Sequence, residues 1–509
     1  MYFEQERIGE VSVRGLADSI LLYKVVKEAS VTLNRVELVD PGNLTPLVGR
    51  DTELSILKDR WEQATEEMGQ IVLLIGEAGL GKSRLIREIR EHVSAEGDEP
   101  DIIELRCSQH HQSAGLYPMV EHLTKLLKFE EHSTSESRVV AIERYLDGLR
   151  LRSDRNVSLL AGLLNIESEQ LSPLDVSPQR KRELTAAFLL ELLKQRAEFH
   201  PVLFIVEDLH WVDPTLLELL SAYVEEFDQS RVLSIFTFRP EFETPWRSKQ
   251  HQTQIALNRL SRKQIRDMMH KRFGRTDLPD VVVEIIVERT DGIPLFIEEF
   301  SNILAESGSL ESDSISEDLL NQIIPASLQD LLMARLDRMS SNPEVIQLAS
   351  AIGREFSFPL LRAASDLPED LLQDELNKLA EAQVLFQKGK YPDASFIFKH
   401  ALIQDSAYNS LLKKRRQEIH SRIGTALEAS FPDTTNHQPE LLAHHFTKAN
   451  ETEKAVDYWL KAGQRSQALF ANLEAIGHYR NGLKVIETLE ESGERDQMEN
   501  NFQLSLVTV

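Results

Sequence analysis

Residues 70–83 read QIVLLIGEAGLGKS, and this stretch decides the fold. An apolar run, Ile71–Ile75, leads into Gly76–Ser83, which matches G-x-x-x-x-G-K-[ST] at every fixed position, and the helical stretch KSRLIREIREHV follows. Strand, glycine-rich turn and helix in this order predict a P-loop. The alternative is a chance glycine-rich turn, which the flanking elements disfavour.

A P-loop binds phosphates because its glycines let successive backbone N–H groups converge on one point, at the positive end of a helix. Lys82 is expected to reach the β- and γ-phosphates, and the Ser83 hydroxyl is expected to bind Mg²⁺. The sequence therefore predicts ATP and Mg²⁺ as ligands. The predicted nucleotide contacts in this segment are Gly76, Glu77, Ala78, Gly79, Leu80, Gly81, Lys82, Ser83 and Arg84.

A second acidic motif lies in PVLFIVEDLHWVD, where Glu207 and Asp208 follow an apolar strand. Ligands bind at the carboxyl ends of parallel strands, so both residues are candidate Mg²⁺ ligands and catalytic groups. Glu207 is expected near the metal, through water, and Asp208 as the base that orients the attacking water. The alternative is that one or both cap the following turn. Asp213, before Pro214, is explained fully as a helix N-cap.

A third strand end, in SIFTFRPEF, places Arg239 among the candidate catalytic residues. A guanidinium beside the γ-phosphate would distinguish ATP from ADP by bidentate contact. The alternative is a surface ion pair with an acid such as Glu241.

Short apolar runs alternate with helical stretches from residue 47 onward. Such alternation predicts a parallel sheet covered on both faces. The chain is expected to turn helical after Pro240, with one helix starting at a Ser261–Gln264 capping box. Further on, helices with a hairpin around KGKYPDA predict a winged helix, and repeated Ala and aromatic positions predict helical hairpins of the tetratricopeptide (TPR) kind. The four strand candidates are Gln70–Ile75, Asp101–Arg106, Val202–Val206 and Val232–Phe238.

Composition restricts the class of protein. The 509 residues carry a formal net charge of -25 and one cysteine, Cys107, which excludes an internal disulfide. No apolar run approaches the ~20 residues that span a bilayer. A cytoplasmic protein that does not bind membranes is expected, and nucleic acid is disfavoured as a partner.

Several segments resemble the STAND class of P-loop ATPases, in its Orc1-like, predicted-ATPase branch. They include LTPLVGRDTEL, VEDLHWVDPTLLELL, TDGIPLFIEEF and FKHALIQDSAYNSLL. The resemblance is greatest to bacterial proteins in which a class III adenylate/guanylate cyclase domain precedes this AAA-type ATPase and a TPR array. It implies the fold class: a P-loop NTPase of AAA/STAND type, followed by helical and winged-helix domains and TPR-like repeats.

The resemblance also implies further nucleotide contacts. Val48, Gly49 and Arg50 would lie against the base and ribose, Pro294 would line the base pocket, and His400 would touch the β-phosphate of ADP in an inactive state. Plain alternatives stay open. Gly49 fits a turn, Pro294 a helix start and His400 a core histidine.

The expected domain bounds follow from these patterns. Residues 1–27 resemble the closing strands of a cyclase domain, with Arg14-Gly15 where a Lys-Gly pair is common, and both ends of the chain look cut. The cyclase metal aspartates are not in this chain, so cyclase activity is not expected. The remaining divisions are a linker at 28–46, the ATPase core at 47–245, a helical lid at 246–323, a winged-helix-like domain at 324–432 and incomplete TPR-like repeats at 433–509.

These patterns predict a nucleotide-dependent signalling switch with slow ATP hydrolysis. A protein or peptide ligand would bind the TPR-like helices, and activation could form a homo-oligomer. One alternative is the regulatory part of a cyclase effector, and another is a non-hydrolysing scaffold or transcription regulator.

Overall fold

The computed structural model describes residues 3–11, 20–28, 47–95, 100–112, 114–129, 134–172, 174–273, 280–306, 342–382, 384–468 and 471–508.

The N-terminal described residues form a pair of antiparallel strands. Strand β1 (Phe3–Val11) pairs with β2 (Ile20–Glu28). The predicted hairpin is thus seen in its strands, whereas Arg14-Gly15 and most of the linker, residues 29–46, lie outside the described residues.

The centre of the region that follows residue 47 is a five-stranded parallel sheet. Its strands are β3 (Gln70–Ile75), β4 (Asp101–Arg106), β5 (Val202–Glu207), β6 (Val232–Phe238) and β7 (Gln252–Ala256), in the order β4-β5-β6-β3-β7. All four predicted strands are confirmed. The expectation of helix after Pro240 is wrong, because β7 extends the sheet beyond residue 245.

Helices cover both faces of this sheet. Their bounds are α1 (Asp51–Thr65), α2 (Lys82–Ala95), α3 (Tyr117–Leu126), α4 (Ser135–Gly148), α5 (Asp154–Leu163), α6 (Pro178–Phe199) and α7 (Pro214–Glu226). Along β5, Leu203 and Ile205 pack toward α1 and α2, while Phe204 and Val206 pack into the core on the opposite face. Both faces of β5 are therefore apolar, which explains its unbroken hydrophobic run.

A small helical unit follows the sheet: α8 (Arg262–Phe273), α9 (Asp280–Thr290) and α10 (Pro294–Glu306). These helices share a core of their own, which includes Ile265, Ile286 and Phe300. The predicted capping box at the start of α8 is confirmed. The Ser261 backbone N–H donates to Gln264 Oε1 at 2.8 Å, and the Gln264 N–H donates to Ser261 Oγ at 3.4 Å.

A winged-helix unit is described from residue 342. It consists of α11 (Pro343–Ile352), β8 (Glu355–Ser357), α12 (Phe358–Ala364), α13 (Glu369–Glu381), β9 (Leu385–Lys388), β10 (Ser395–Phe398) and α14 (Ala401–Asn409). Strand β10 lies between β8 and β9, antiparallel to both. The predicted wing is confirmed, and β8 is an additional strand that the sequence analysis did not predict. The expected beginning of this domain, residues 324–341, lies outside the described residues.

The C-terminal helices stack as antiparallel hairpins: α15 (Lys413–Ser430), α16 (Pro432–His437), α17 (Pro439–Ala449), α18 (Thr452–Ala468), α19 (Asn472–Ile486) and α20 (Gly493–Val507). A glycine in one helix repeatedly packs against an aromatic ring of a later helix. Gly424 lies against Phe446, Gly463 against Tyr479, and Gly482 against Phe502. One hydrophobic core runs from the winged helix through these hairpins. The predicted fold class is therefore confirmed.

Candidate nucleotide site

The P-loop connects β3 to α2, and its backbone needs glycine at two positions. Gly79 and Gly81 have φ values of +83° and +98°, in the left-handed region that L side chains rarely adopt. A Cβ on Gly79 would also lie 3.1 Å from Ile293, just before α10, and 3.2 Å from Leu295, the second residue of α10. No atom lies within 4 Å of a Cβ built on Gly81. The loop is thus held closely by α10 on one side and open on the other.

Lys82 lies at the mouth of the loop. Its Nζ donates to the carbonyl oxygens of Gly76, at 2.5 Å, and Glu77, at 3.0 Å. Burial lowers the pKa of Lys82, and the nearby Asp208 and Glu207 carboxylates oppose that shift. A cation held between backbone carbonyls and two acids is placed to bind a phosphate oxygen.

Ser83 and Glu207 meet directly. Ser83 Oγ donates to Glu207 Oε2 at 2.8 Å, although the two residues lie on α2 and at the end of β5. The other carboxylate oxygen, Oε1, accepts from Arg106 Nη2 at 2.7 Å. Burial opposes ionisation, but the Arg106 charge and its hydrogen bond hold the pKa of Glu207 below its usual value. A hydroxyl beside an ionised carboxylate is an all-oxygen donor set that fits Mg²⁺.

Arg106 is shared between two acids. Its guanidinium also donates to Glu104 Oε1 at 3.1 Å. Burial raises the pKa of Glu104 to about 7, against the opposing Arg106 charge, and Glu207 adds to the increase. The pKa of Glu104 is therefore raised while that of Glu207 is lowered, and Arg106 is the group that keeps Glu207 charged.

Asp208 has an unusual backbone conformation. Its φ is +58°, and its N–H donates to Thr237 Oγ1, at the tip of β6, at 3.0 Å. Burial, reinforced by the Glu207 charge, raises the pKa of Asp208 to about 6. Its Oδ2 lies 3.4 Å from Nη1 of Arg354, which belongs to the winged-helix unit. An acid with a raised pKa beside a cation-lined cleft has the properties of a proton acceptor.

Arg239 follows β6 and faces the winged-helix unit. With the described residues it forms no ion pair within 4 Å, so the predicted alternative pairing with Glu241 is not seen. Burial raises the pKa of Asp405, on α14, and the charges of Arg239 and Arg354 oppose that increase. Arg239 therefore lies at the cleft between the sheet and α14.

Residues 48–50, just before α1, contact both the small helical unit and the P-loop. Val48 packs on the lid core, and Gly49, with φ +66°, accepts a hydrogen bond from Gln264 Nε2 at 3.3 Å. Arg50 is buried and donates to the carbonyls of Leu80, at 3.2 Å, and Asn258, at 2.6 Å. The Arg50 guanidinium thus fixes the P-loop backbone at Leu80. Gly49 fits the turn that the sequence left as an alternative.

The remaining predicted residues differ in their placement. Pro294 is the first residue of α10, as its alternative reading required, and the neighbouring Leu295 N–H donates to Gly79 O at 3.3 Å. His400 is the N-cap residue of α14, on the helix that carries Asp405. Arg84 pairs with Glu88 at 2.9 Å along α2. The nucleotide roles of Pro294, His400 and Arg84 stay predictions.

Sequence reasoning missed four residues of this site: Glu104, Arg106, Arg354 and Asp405. Arg106 ends a strand that was predicted correctly, so the signal was present. Using it requires the strand order, because β4 lies beside β5 only in the folded sheet. Asp213 behaves as predicted: its Oδ1 accepts from the Leu216 N–H at 2.8 Å, as an N-cap does.

Residues 46–235 match the AAA ATPase domain family. The chain is similar to an uncharacterized protein of Rhizobium meliloti (strain 1021), at 27% identity over 88% of this chain and 43% of that protein. It is also similar to adenylate cyclase type 10 of Oryctolagus cuniculus, at 20% identity over 62% of this chain and 22% of that protein. The chain spans less than half the length of these relatives.

Two solved structures are similar at low identity. One is a Signal Transduction ATPase with Numerous Domains (STAND) protein with a tetratricopeptide repeat sensor from Pyrococcus horikoshii, with 13% identity, a TM-score of 0.42, and coverage of 89% of this chain and 60% of that one. The other is the Aeropyrum pernix Orc1 protein in complex with DNA, with 13% identity, a TM-score of 0.34, and coverage of 74% and 96%. In the part of the chain that the structure describes, no helix is long and apolar enough to cross a membrane.

Proposed function

We propose that this chain binds ATP with Mg²⁺ at the P-loop and hydrolyses it slowly, as a STAND-type switch. The observation that carries the proposal is the hydrogen bond between Ser83 and Glu207. It brings the end of the P-loop and the acidic strand tip together beside Lys82, which is the arrangement that phosphoryl transfer requires.

In this proposal each group has one task. Lys82 and the loop N–H groups bind the phosphates, and Arg239 reads the γ-phosphate. Ser83, Glu207 and Asp208 are the residues that would hold Mg²⁺, and the metal would supply neutralising charge to the phosphates. Asp208 orients the attacking water and accepts its proton.

The first test compares Lys82→Ala with Lys484→Ala, a change at an exposed lysine of α19. Titration calorimetry with ATP and Mg²⁺, and phosphate release, are measured on both. Lys82→Ala is expected to lose binding or turnover, because it removes the cation that this proposal assigns to the phosphates, while Lys484→Ala keeps both. Equal ATP affinity and turnover in the two variants would contradict the assignment of the P-loop as the ATP site.

The helical hairpins are the proposed binding surface for a protein or peptide, and binding could be followed by self-association. Nucleic acid is a poor candidate for the winged helix. The second helix of a helix-turn-helix enters the DNA groove, and here that helix, α13, carries five acidic residues and one lysine, Lys378. In the basic run 413–416, Arg415 bonds to Glu344 and Arg416 to backbone carbonyls of Tyr408 and Leu411. A salt-sensitive complex with duplex DNA would contradict this part of the proposal.

A second candidate is the regulatory part of an adenylate cyclase effector. The similarity to adenylate cyclase type 10 and the antiparallel β1–β2 pair favour it. In that case the ATPase would gate cyclic nucleotide synthesis by another domain. Reading the coding sequence upstream of Met1 tests the idea directly, since a cyclase domain in the same reading frame is its requirement.

A further inference from the structure

Residues 208–215 run from the end of β5 into the first turn of α7. The C-terminal part of the chain contacts this segment at both of its ends. The segment starts at Asp208, passes through a short 3-10 turn at Leu209–Trp211 and enters α7 at Pro214. In its middle, Asp213 is buried and its Oδ1 accepts from the N–H groups of Leu116 and Leu216. The segment is therefore fixed to the ATPase domain at Asp213, with the catalytic acid at one end.

The distal end is held by Glu474 of α19. Its Oε1 accepts from the Thr215 N–H at 2.9 Å and from Thr215 Oγ1 at 2.7 Å. A carboxylate at the first turn of a helix is favoured by the helix dipole, and here it satisfies one of the free N–H groups of α7. The backbone approaches closely on the same face, where a Cβ on Gly115 would lie 3.3 Å from Ala471.

The proximal end is held by Arg354, which follows α11. Its Nη1 lies 3.4 Å from Asp208 Oδ2. Arg354 and Glu474 belong to different structural units, the winged helix and the helical hairpins, yet they contact one segment of eight residues. The segment therefore links the winged helix, through Arg354 and Asp208, to the helical hairpins, through Glu474 and Thr215.

The buried negative charge of Glu474 is only partly compensated by its surroundings. Glu474 is 2% exposed, its Oε2 has no hydrogen-bond partner among the described residues, and no cation of the described chain lies within 4 Å of it. A buried carboxylate without a cation or full hydrogen bonding is costly. Among the described residues, the N-terminus of α7 is the group that compensates the cost of burying the Glu474 carboxylate. Such a contact is easily released, which is a property of a switch rather than of a permanent structural contact.

We propose that Glu474 and Arg354 are positioning residues that hold residues 208–215 in a slow-turnover arrangement, and that a protein or peptide bound to the helical hairpins releases Glu474. This inference rests on the proposed ATPase function. Arg354 contacts one of the two carboxylate oxygens of Asp208, Oδ2, and so competes with a water molecule for that oxygen. Glu474 prevents the segment from shifting Asp208 away from Arg354.

The test measures steady-state ATP hydrolysis and amide hydrogen exchange on the full chain. The variants are Glu474→Ala, Thr215→Val, Arg354→Ala and Arg354→Lys. Their controls are Glu487→Ala, at an exposed residue beside α19, and Arg362→Ala, at an exposed residue of α12. The first three variants are expected to raise kcat on the order of fivefold to tenfold with KM little changed, within the usual range of coupling between sites.

Arg354→Lys should restore most of the slow rate, because a cation returns beside Asp208, and the controls should match the wild type. Hydrogen exchange supplies the second readout. Peptides covering 208–226 should exchange faster in Glu474→Ala and Thr215→Val, because the Thr215 N–H loses its acceptor or its alignment, while peptides of β3 stay unchanged. If Glu474→Ala does not fold, Thr215→Val carries the same test.

Two results would overturn the inference: kcat at or below the wild-type value in both Glu474→Ala and Arg354→Ala, or unchanged exchange at 208–226. The failure of the ATPase proposal looks different. In that case Lys82→Ala would leave any measured turnover unaltered in the wild-type and variant backgrounds alike, and no variant would bind ATP.

Discussion

Replacing Arg106 by Ala tests the electrostatics of the site most directly. Glu207 is 5% exposed and depends on Arg106 for its nearest positive charge, at 2.7 Å. The variant leaves a buried carboxylate at the strand tip beside the Ser83 hydroxyl and the Glu104 carboxyl, with the positive charge of Arg106 removed. The structure therefore predicts a loss of both stability and Mg²⁺ affinity from one substitution outside the P-loop.

The magnitude follows from the burial of the pair. Removing one partner of a buried ion pair costs about 3–5 kcal/mol. The Arg106 side chain is 27% exposed, so the lower end, about 3 kcal/mol, is the better figure after allowing for solvent screening. In the wild type the pKa of Glu207 is depressed, so its ion pair stabilises the fold above the unfolded pKa of about 4.3 and loses this effect as the pH falls. In the variant, burial raises that pKa. The destabilisation should therefore be larger at pH 8 than at pH 5.

Urea unfolding followed by tryptophan fluorescence measures this effect, since three of the four tryptophans, Trp61, Trp211 and Trp246, pack in or against the two cores that flank the parallel sheet. Arg152→Ala is the control, because its pair with Glu143 is exposed at the surface. That variant should lose less than about 1 kcal/mol. Mg²⁺ binding in the presence of ATP is read by calorimetry. A loss for Arg106→Ala no larger than that of Arg152→Ala, or one independent of pH, would refute the reasoning.

Three further predictions concern the loop, the hairpins and the pH response. Gly79→Ala should cost about 1–2 kcal/mol, because of its left-handed φ, and should weaken the binding of a fluorescent ATP analogue; unchanged affinity would contradict it. Gly463→Ala should destabilise the hairpins by about 1–3 kcal/mol through overpacking on the Tyr479 ring, seen as a lower thermal midpoint than for Gly493→Ala, at an open position. Burial raises the pKa of Glu440 to about 7, so the wild type loses stability as the pH rises from about 4.3 to 7. Glu440→Gln should therefore gain on the order of 2 kcal/mol relative to wild type between pH 5 and pH 8; parallel urea curves at both pH values would count against it.

The sequence predicted the elements whose residues carry a local pattern. Three of the four predicted strands, β3, β5 and β6, are almost wholly apolar, and the wing follows from KGKYPDA between two apolar runs. Strand β7 was missed because it lies at the sheet edge and buries Ile255 alone, so its sequence, QTQIA, resembles a loop. The contacts of Arg354 with Asp208 and of Glu474 with Thr215 join residues 146 and 259 positions apart. No local pattern encodes such pairs, because they depend on how separate units pack.

The two neighbouring acids at the tip of β5 show what the fold adds to a motif. The sequence analysis expects Glu207 near Mg²⁺ and Asp208 as the base, but the sequence itself offers no electrostatic reason for that division. In the structure Arg106 and Ser83 keep Glu207 ionised, while burial and the Glu207 charge raise the pKa of Asp208 to about 6. Carboxylates whose pKa values are pushed apart are suited to different tasks. The asymmetry supports Glu207 beside the metal and Asp208 as the base, and it arises from Arg106, a residue on the adjacent strand that belongs to neither motif.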